Sequence, residues 1–148
     1  MKTVSVILDT GPLVAYLNQS DRYHEWVVDQ YAVLRPPFYT CEAVLSEACF
    51  LLRHYEKGIG GVFQLLKRGL LQIPFRLQDE ISAISRLMTK YKNIPMSLAD
   101  ACLVRMTEQM VGSNVCTLDS DFNIYRKNRR QTIPTMMPED LKRSQVRF

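Results

Sequence analysis

The sequence lacks the features that define membrane proteins and several common classes of enzyme. Its first apolar run, residues 4–8, is far shorter than the roughly 18 residues of a membrane span and too short for a signal peptide. It contains neither a G-x-S-x-G nucleophile elbow nor a G-x-x-x-x-G-K-[ST] phosphate loop. We therefore expect a cytoplasmic protein that does not associate with membranes and that is neither an elbow-type serine hydrolase nor a P-loop nucleotidase.

Histidine and cysteine are also scarce. We expect His24 to pack or cap within a helix and His54 to lie exposed beside Arg53, so neither histidine is a catalytic candidate. The cysteines occur singly rather than in C-x-x-C pairs, which disfavours a zinc or redox site and predicts buried apolar side chains. They are Cys41, Cys49, Cys102 and Cys116.

The composition is typical of one soluble globular domain, which we expect to span residues 1–148. The chain is 47% hydrophobic and 23% charged, and at this length it can bury a core without disulfides. Residues 121–148 hold seven Lys or Arg and three Asp or Glu, and the preceding residues hold twelve of each, so this segment carries the whole net charge of +4. Its basic run, Arg126, Lys127, Arg129 and Arg130, is either solvated surface or a phosphate-binding surface.

Short β-branched runs alternate with helical patterns along the chain. This alternation implies parallel strands joined by right-handed crossovers, which is an α/β sandwich. The predicted strands are residues 3–8, 38–41, 71–74, 114–118 and, at a sheet edge, 133–136. The first predicted helix begins at Thr10 or Pro12 and ends at Leu17, and the second is capped by Ser20 and Asp21 and stops before residues 35–37. The other predicted helices are residues 42–56, 59–68, 77–91 and 97–111.

Acidic residues directly follow two of the predicted strands. Asp9 follows the first strand, and Asp119 and Asp121 follow the strand at residues 114–118. Because ligands of open parallel sheets bind at the carboxyl ends of the strands, we expect these acids at the same edge. Each also has an ordinary structural interpretation, since an Asp at such a position can cap a helix or form a turn.

Two more carboxylates, Glu47 and Asp100, lie within predicted helices. The residues three and four positions from Glu47 are apolar, so Glu47 either faces inward, where it needs a partner or a metal ion, or lies partly exposed near Ser46. Asp100 lies on the apolar side of its helix, and its spacing from Ser97 is also that of a capping box.

Asp9, Glu47, Asp100 and Asp119 would repel one another strongly if the fold gathers them. Mg²⁺ or Mn²⁺ would relieve that repulsion, because both ions take oxygen ligands and keep several bound waters. Such ions activate water and stabilise the oxygens of an in-line phosphoryl displacement. The predicted chemistry is therefore metal-dependent hydrolysis of a phosphodiester.

The chain resembles the PIN-domain ribonucleases, most closely the toxin nucleases of VapBC-type toxin/antitoxin pairs. The order and spacing of five segments carry the resemblance over nearly the whole length. They are I-L-D-T-G-P-L-V-A-Y-L at 7–17, D-R-Y-H at 21–24, the stretch from Thr40 through V-L-S-E-A at 44–48, L-A-D-A at 98–101 and T-L-D-S-D-F at 117–122.

The resemblance implies a three-layer α/β/α sandwich with a mostly parallel central sheet and an endoribonuclease that uses Mg²⁺ or Mn²⁺. It implies that Asp9, Asp100 and Asp119 hold the main ion, and that Glu47 and, more variably, Asp121 orient water or a second ion. It also implies an RNA substrate, a homodimer and, in the toxin branch, inhibition by a small antitoxin protein.

In the same resemblance, Thr10 and Thr117 are hydroxyls that position the acids. The basic run from Arg126 to Arg130 follows Asp119 and Asp121 within one or two helical turns. It could therefore hold RNA phosphates beside a cleft whose own acids repel them.

Two other functions compete with this interpretation. A haloacid-dehalogenase-like phosphatase would use Asp9 as nucleophile, but its D-x-D-x-[TV] motif requires Asp where this chain has Gly11. A non-catalytic nucleic-acid or protein-binding module would use the acids only as helix caps.

Tyr125, beside the basic run, is expected either to anchor at the surface or to stack on a base.

Overall fold

A computed structural model describes residues 4–143. Within this range the strands are β1 (Val6–Leu8), β2 (Phe38–Tyr39), β3 (Leu71–Gln72), β4 (Asn114–Cys116), β5 (Arg126–Lys127), β6 (Gln131–Thr132) and β7 (Thr135–Met136). The α-helices are α1 (Thr10–Leu17), α2 (His24–Val33), α3 (Glu42–Leu51), α4 (Gly58–Lys67), α5 (Ile81–Lys90), α6 (Leu98–Gln109) and α7 (Glu139–Arg143).

The central sheet has the strand order β3-β2-β1-β4-β7, and each neighbouring pair is parallel. Helices flank the sheet, so the prediction of a three-layer α/β/α sandwich is confirmed, as is an edge strand near residue 135. The chain moves outward from β1 through β2 to β3, then returns to β4 on the other side of β1. This reversal makes the carboxyl ends of β1 and β4 the place where such folds bind ligands.

The core lies between the sheet and the helices that cover it. Every residue of β1 is buried, and so is most of α6, which packs on β1 and β4. Cys41, Cys102 and Cys116 are buried and Cys49 is half-buried, all as free thiols, which agrees with the expectation for apolar side chains.

Several elements differ from the predicted pattern. The helix predicted at residues 42–56 ends at Leu51, and a 3₁₀ turn at Leu77–Glu80 precedes α5. The basic run does not continue a helical surface. Instead, β5 and β6 form a small antiparallel hairpin, in which Arg126 lies opposite Thr132.

No helix formed by residues 4–143 combines the length and the apolar character needed to span a membrane.

Candidate active site

Asp9 lies at the junction between β1 and α1 and is held from two sides. Its backbone N–H donates to the carbonyl of Cys116 at the end of β4 (3.0 Å). Its Oδ1 accepts from the backbone N–H of Thr10 (2.7 Å), and its Oδ2 accepts from the hydroxyl of Thr117 (2.7 Å). Asp9 therefore caps α1, yet it also joins β1 to β4, and only 6% of the residue is exposed.

Asp119 is connected to Asp9 through the hydroxyl of Thr117. That oxygen accepts from the backbone N–H of Asp119 (2.9 Å) while it donates to Asp9. Asp119 in turn caps the following 3₁₀ turn, because its Oδ1 accepts from the backbone N–H of Asp121 (2.9 Å). One buried threonine thus fixes the relation between the acids that follow the two central strands.

Asp100 enters from the first turn of α6. Ser97 caps this helix by accepting from the backbone N–H of Asp100 (3.0 Å), so the capping spacing and the inward orientation occur together. The buried Oδ2 of Asp100 accepts from the phenol of Tyr125 (2.8 Å). A helix cap and a tyrosine therefore fix this carboxylate.

Tyr125 neither anchors at the surface nor can stack on a base, so both expectations for it are wrong. The residue is completely buried. Its ring packs edge-on against Tyr91 and Phe122, with ring centroids 5.1 and 5.2 Å away. The spacing from Phe122 to Tyr125 was the one signal in the sequence that could have predicted burial of this residue.

Glu47 is exposed on α3, so the partly exposed alternative describes it better than an inward-facing one. Two of the apolar neighbours behind the other expectation, Phe50 and Leu51, are themselves 61% and 51% exposed. The carboxylate nevertheless reaches the site, because its Oε2 accepts from the hydroxyl of Thr10 (3.0 Å). Thr10 thus contacts the exposed Glu47 through its hydroxyl and the buried Asp9 through its backbone N–H.

Burial and mutual repulsion dominate the electrostatics of the acids. Burial raises the pKa of Asp9 to about 7, and the charges of Asp100 and Asp119 add to that rise, whereas hydrogen bonds from Thr117 and Thr10 oppose it. The carboxylate of Asp9 is therefore unstable as an anion unless a positive charge accompanies it.

The neighbouring acids show the same pattern. Burial raises the pKa of Asp100, the hydrogen bond from Tyr125 lowers it, and the charge of Asp119 raises it again. Burial also raises the pKa of Asp121, with a further rise from the charge of Asp119. The charge of Asp119 thus raises the pKa of three neighbouring carboxyl groups, those of Asp9, Asp100 and Asp121.

No Lys or Arg in residues 4–143 forms an ion pair with any of these acids or with Glu47. Nor do three or more acid, histidine or thiol groups in that range converge as a ready set of metal ligands. The donor chemistry nevertheless fits Mg²⁺ or Mn²⁺, because all the candidate ligands are carboxylate oxygens and no cationic side chain of the described part pairs with them.

The predicted basic run is divided by the hairpin. Arg126 is half-buried, and its guanidinium donates to the carbonyls of Asn123, Ile124 and Tyr125 at 2.8–3.0 Å. Lys127 is half-buried, whereas Arg129 and Arg130 are exposed.

Comparison with known proteins places this chain in a family. A family profile described as PIN domain matches residues 6–128. The fold is similar to the crystal structure of Mycobacterium tuberculosis VapC20, a Sarcin-Ricin loop cleaving toxin, with a TM-score of 0.73 and 20% identity over 81% of this chain and 94% of that chain. The sequence has no match among curated proteins. Because the profile spans most of its length, this chain belongs to the PIN domain family.

Proposed function

We propose that this protein is an endoribonuclease that hydrolyses RNA phosphodiester bonds with the help of Mg²⁺ or Mn²⁺. The observation that carries the proposal is that Thr117 links Asp9 and Asp119 at the carboxyl ends of β1 and β4, while the charges of Asp100 and Asp119 raise the pKa of Asp9. Among the described residues, no Lys or Arg forms an ion pair with these acids. Family membership supports the same chemistry.

We assign Asp9, Asp100 and Asp119 as the residues that would hold the ion. When bound, a divalent cation supplies charge neutralisation at the phosphate and lowers the pKa of a coordinated water. The protein orients the carboxylates through hydroxyl donors, Thr117 for Asp9 and Tyr125 for Asp100. These donors leave the remaining lone pairs of each carboxylate free to bind a ligand.

We propose that Glu47 acts at the exposed side of the site. It is the most exposed of the four acids, and its Oε2 is held by the Thr10 hydroxyl next to Asp9. We assign its free Oε1 to orient the water or a second ion. Asp121, half-buried after Asp119, is assigned the same supporting role.

Replacement of single acids tests this proposal. RNA cleavage by the wild-type protein should require Mn²⁺ or Mg²⁺ and stop in EDTA. Asp9→Asn and Asp100→Asn should each lower the cleavage rate at least about 100-fold, because each removes a charged ligand from the ion. Gel analysis of a labelled RNA under single-turnover conditions measures these rates.

Asp29→Asn is the matched control, because Asp29 is an exposed carboxylate on α2 outside the site. It should cleave at the wild-type rate. Cleavage that continues in EDTA, or that survives either Asp9→Asn or Asp100→Asn, contradicts the assigned mechanism. RNA binding without any cleavage would instead support a non-catalytic module.

We further propose that this nuclease is the toxin of a toxin/antitoxin pair and acts as a homodimer. Support for the toxin assignment comes from the similarity of its fold to VapC20, which is itself a toxin. The corresponding partner would be a small antitoxin protein. A short reading frame beside this gene whose product co-purifies with the nuclease and inhibits it would support this assignment, and light scattering would measure the dimer.

A further inference from the structure

A basic cleft, separate from the acids, lies between α5, α6 and the β5–β6 hairpin. Its cavity has a volume of about 590 Å³. Its charged lining side chains are Arg86, Lys90, Arg105, Arg126 and Arg129, with Glu108 as the one lining acid among the described residues. Residues distant in the sequence therefore concentrate positive charge around one concave surface.

Only one of these cations is neutralised by carboxylates in the described part of the chain. Arg105 pairs with Glu80 (2.5 Å) and Glu108 (3.0 Å). Arg86, Lys90, Arg126 and Arg129 have no ion pair within residues 4–143. The cleft is therefore electropositive. An anion that enters it would displace no carboxylate of residues 4–143 from the exposed guanidiniums of Arg86 and Arg129.

The hairpin turn is held in a costly conformation at the rim of the cleft. Asn128 and Arg129 both have positive φ, 48° and 75°, which is rare for consecutive non-glycine residues. The turn is fixed by two contacts to the neighbouring helices. Glu108 Oε2 accepts from the backbone N–H of Asn128 (2.6 Å), and Lys90 Nζ donates to the carbonyl of Arg129 (2.9 Å). The fold thus places Arg129 opposite Arg86 and Lys90, which lie one turn apart on α5.

Two consecutive residues, Tyr125 and Arg126, connect the candidate active site with the basic cleft. Tyr125 points into the core and donates to Asp100, and the next residue, Arg126, lines the cleft. The backbone N–H of Arg126 also donates to the phenol of Tyr91 (2.9 Å), whose ring packs on Tyr125. Consecutive residues of one short segment therefore contact an acid of the candidate site and line the basic cleft.

We infer that the basic cleft binds a phosphate of the RNA chain on one side of the bond to be cut, with Arg86 and Arg129 as its free contacts. This inference rests on the proposed ribonuclease function and adds Arg86 and Lys90, which are remote from the basic run in sequence. It leaves out Lys127 and Arg130, which do not line the cavity. The contacts are charge-based and read no base, so they would supply affinity and register without sequence preference.

The test is RNA binding in EDTA, measured by fluorescence anisotropy of a labelled single strand. Arg86→Ala with Arg129→Ala should weaken binding at least about tenfold. It should also reduce the slope of log K against log salt by about 0.7, because the two guanidiniums bind one phosphate and each neutralised phosphate of a single strand contributes about 0.7. Lys67→Ala with Arg68→Ala is the matched control, because it removes two exposed cations at the end of α4, outside the cleft. In the control variant, the loss of RNA affinity and the change in salt slope should each be less than half of those in Arg86→Ala with Arg129→Ala.

Equal losses in the two double variants would show a non-specific charge effect and overturn the inference, as would unchanged binding. A thermal shift by inorganic phosphate that requires Arg86 and Arg129, with RNA affinity unchanged, would assign the cleft to a small phosphate ligand and also overturn it. If folding is impaired, Arg86→Gln with Arg129→Gln provides the same charge removal. Cleavage by the wild-type protein is measured independently, so failure of this inference and failure of the ribonuclease proposal give different results.

Discussion

Tyr125 shows how a single buried hydroxyl can set the properties of a charged site. Its phenol donates to Oδ2 of Asp100, and its ring is packed between Tyr91 and Phe122. The hydrogen bond lowers the pKa of Asp100 against the rise caused by burial. Tyr125 is therefore a positioning residue, because it keeps a proposed metal ligand ionised and oriented.

Tyr125→Phe should preserve the ring packing and remove only this donor. Stability should fall by about 1 kcal/mol, and Mn²⁺ affinity should fall about 10- to 100-fold, because an unoriented ligand binds more weakly. The pH needed for Mn²⁺ binding should also move upward, since loss of the hydrogen bond raises the pKa of Asp100. Calorimetric titration with Mn²⁺ across pH measures both effects.

Tyr91→Phe provides the comparison for this prediction. The phenol of Tyr91 accepts from the backbone N–H of Arg126 rather than contacting an acid. Its removal should therefore cost stability while leaving Mn²⁺ affinity unchanged. Equal Mn²⁺ affinity in Tyr125→Phe and Tyr91→Phe would show that the phenol of Tyr125 has only a structural role.

At the residue scale, sequence reasoning placed acids after strands correctly and failed where packing decides exposure. Asp9 and Asp119 could be located because a strand must deliver its last residue to the sheet edge. The exposure of Glu47 could not, because apolar neighbours such as Phe50 and Leu51 are exposed in the structure and do not define an inward face. Hydrophobic spacing predicts an amphipathic face but not which part of that face is covered.

At the element scale, α4 offers a direct test of how closely helices pack. Gly58 begins this helix, and a Cβ added there would lie 2.9 Å from both the Cβ and the backbone carbonyl oxygen of Leu52. A Cβ added at Gly60 would meet no other atom within 4 Å. The two glycines therefore should respond oppositely to the same substitution.

Gly58→Ala should destabilise the protein by about 1–3 kcal/mol, because a backbone oxygen cannot move aside cheaply. Gly60→Ala should stabilise it by about 0.5–1 kcal/mol through helix propensity and a less flexible unfolded chain. Urea unfolding measures both free energies. A Gly58→Ala protein as stable as the wild type would contradict the close contact with Leu52.

Among the elements, the β5–β6 hairpin was the least predictable from the sequence. Arg126 and Lys127 form β5 although neither belongs to an apolar alternation. The turn depends on positive φ at Asn128 and Arg129, and contacts from Glu108 and Lys90 hold it there. These contacts come from α6 and α5, so no local pattern in residues 126–132 contains the information.

At the scale of the whole molecule, the fold separates the two signs of charge. The strand order brings Asp9 and Asp119 together because β1 and β4 are neighbours, although they lie far apart in the sequence. The order of strands and helices allowed this edge to be predicted. The basic cleft could not be predicted, since it needs the pairing of α5 with α6 and the attachment of the hairpin to both.

The buried acid at the centre of this arrangement should make the stability of the metal-free protein depend on pH. Folding raises the pKa of Asp9 from 3.8 to about 7, so the folded state keeps a proton that the unfolded state loses. Its contribution is fully present below pH 3.8 and is lost as the pH rises towards and through 7. The loss amounts to at most about 4 kcal/mol, since one pKa unit corresponds to about 1.4 kcal/mol.

We therefore expect the Tm in EDTA to fall as the pH rises from about 4.5 to 7.5, with a contribution of the same sign from Asp100. Asp9→Asn should flatten this dependence, because the amide does not ionise, whereas Asp29→Asn should retain it. Mn²⁺ should raise the Tm more at pH 7.5 than at pH 5, because the ion binds the deprotonated carboxylates. Differential scanning fluorimetry across this range measures all three effects. Parallel curves for wild type and Asp9→Asn in EDTA would show that Asp9 ionises without cost, and the electrostatic reason for a cation at this edge of the sheet would be lost.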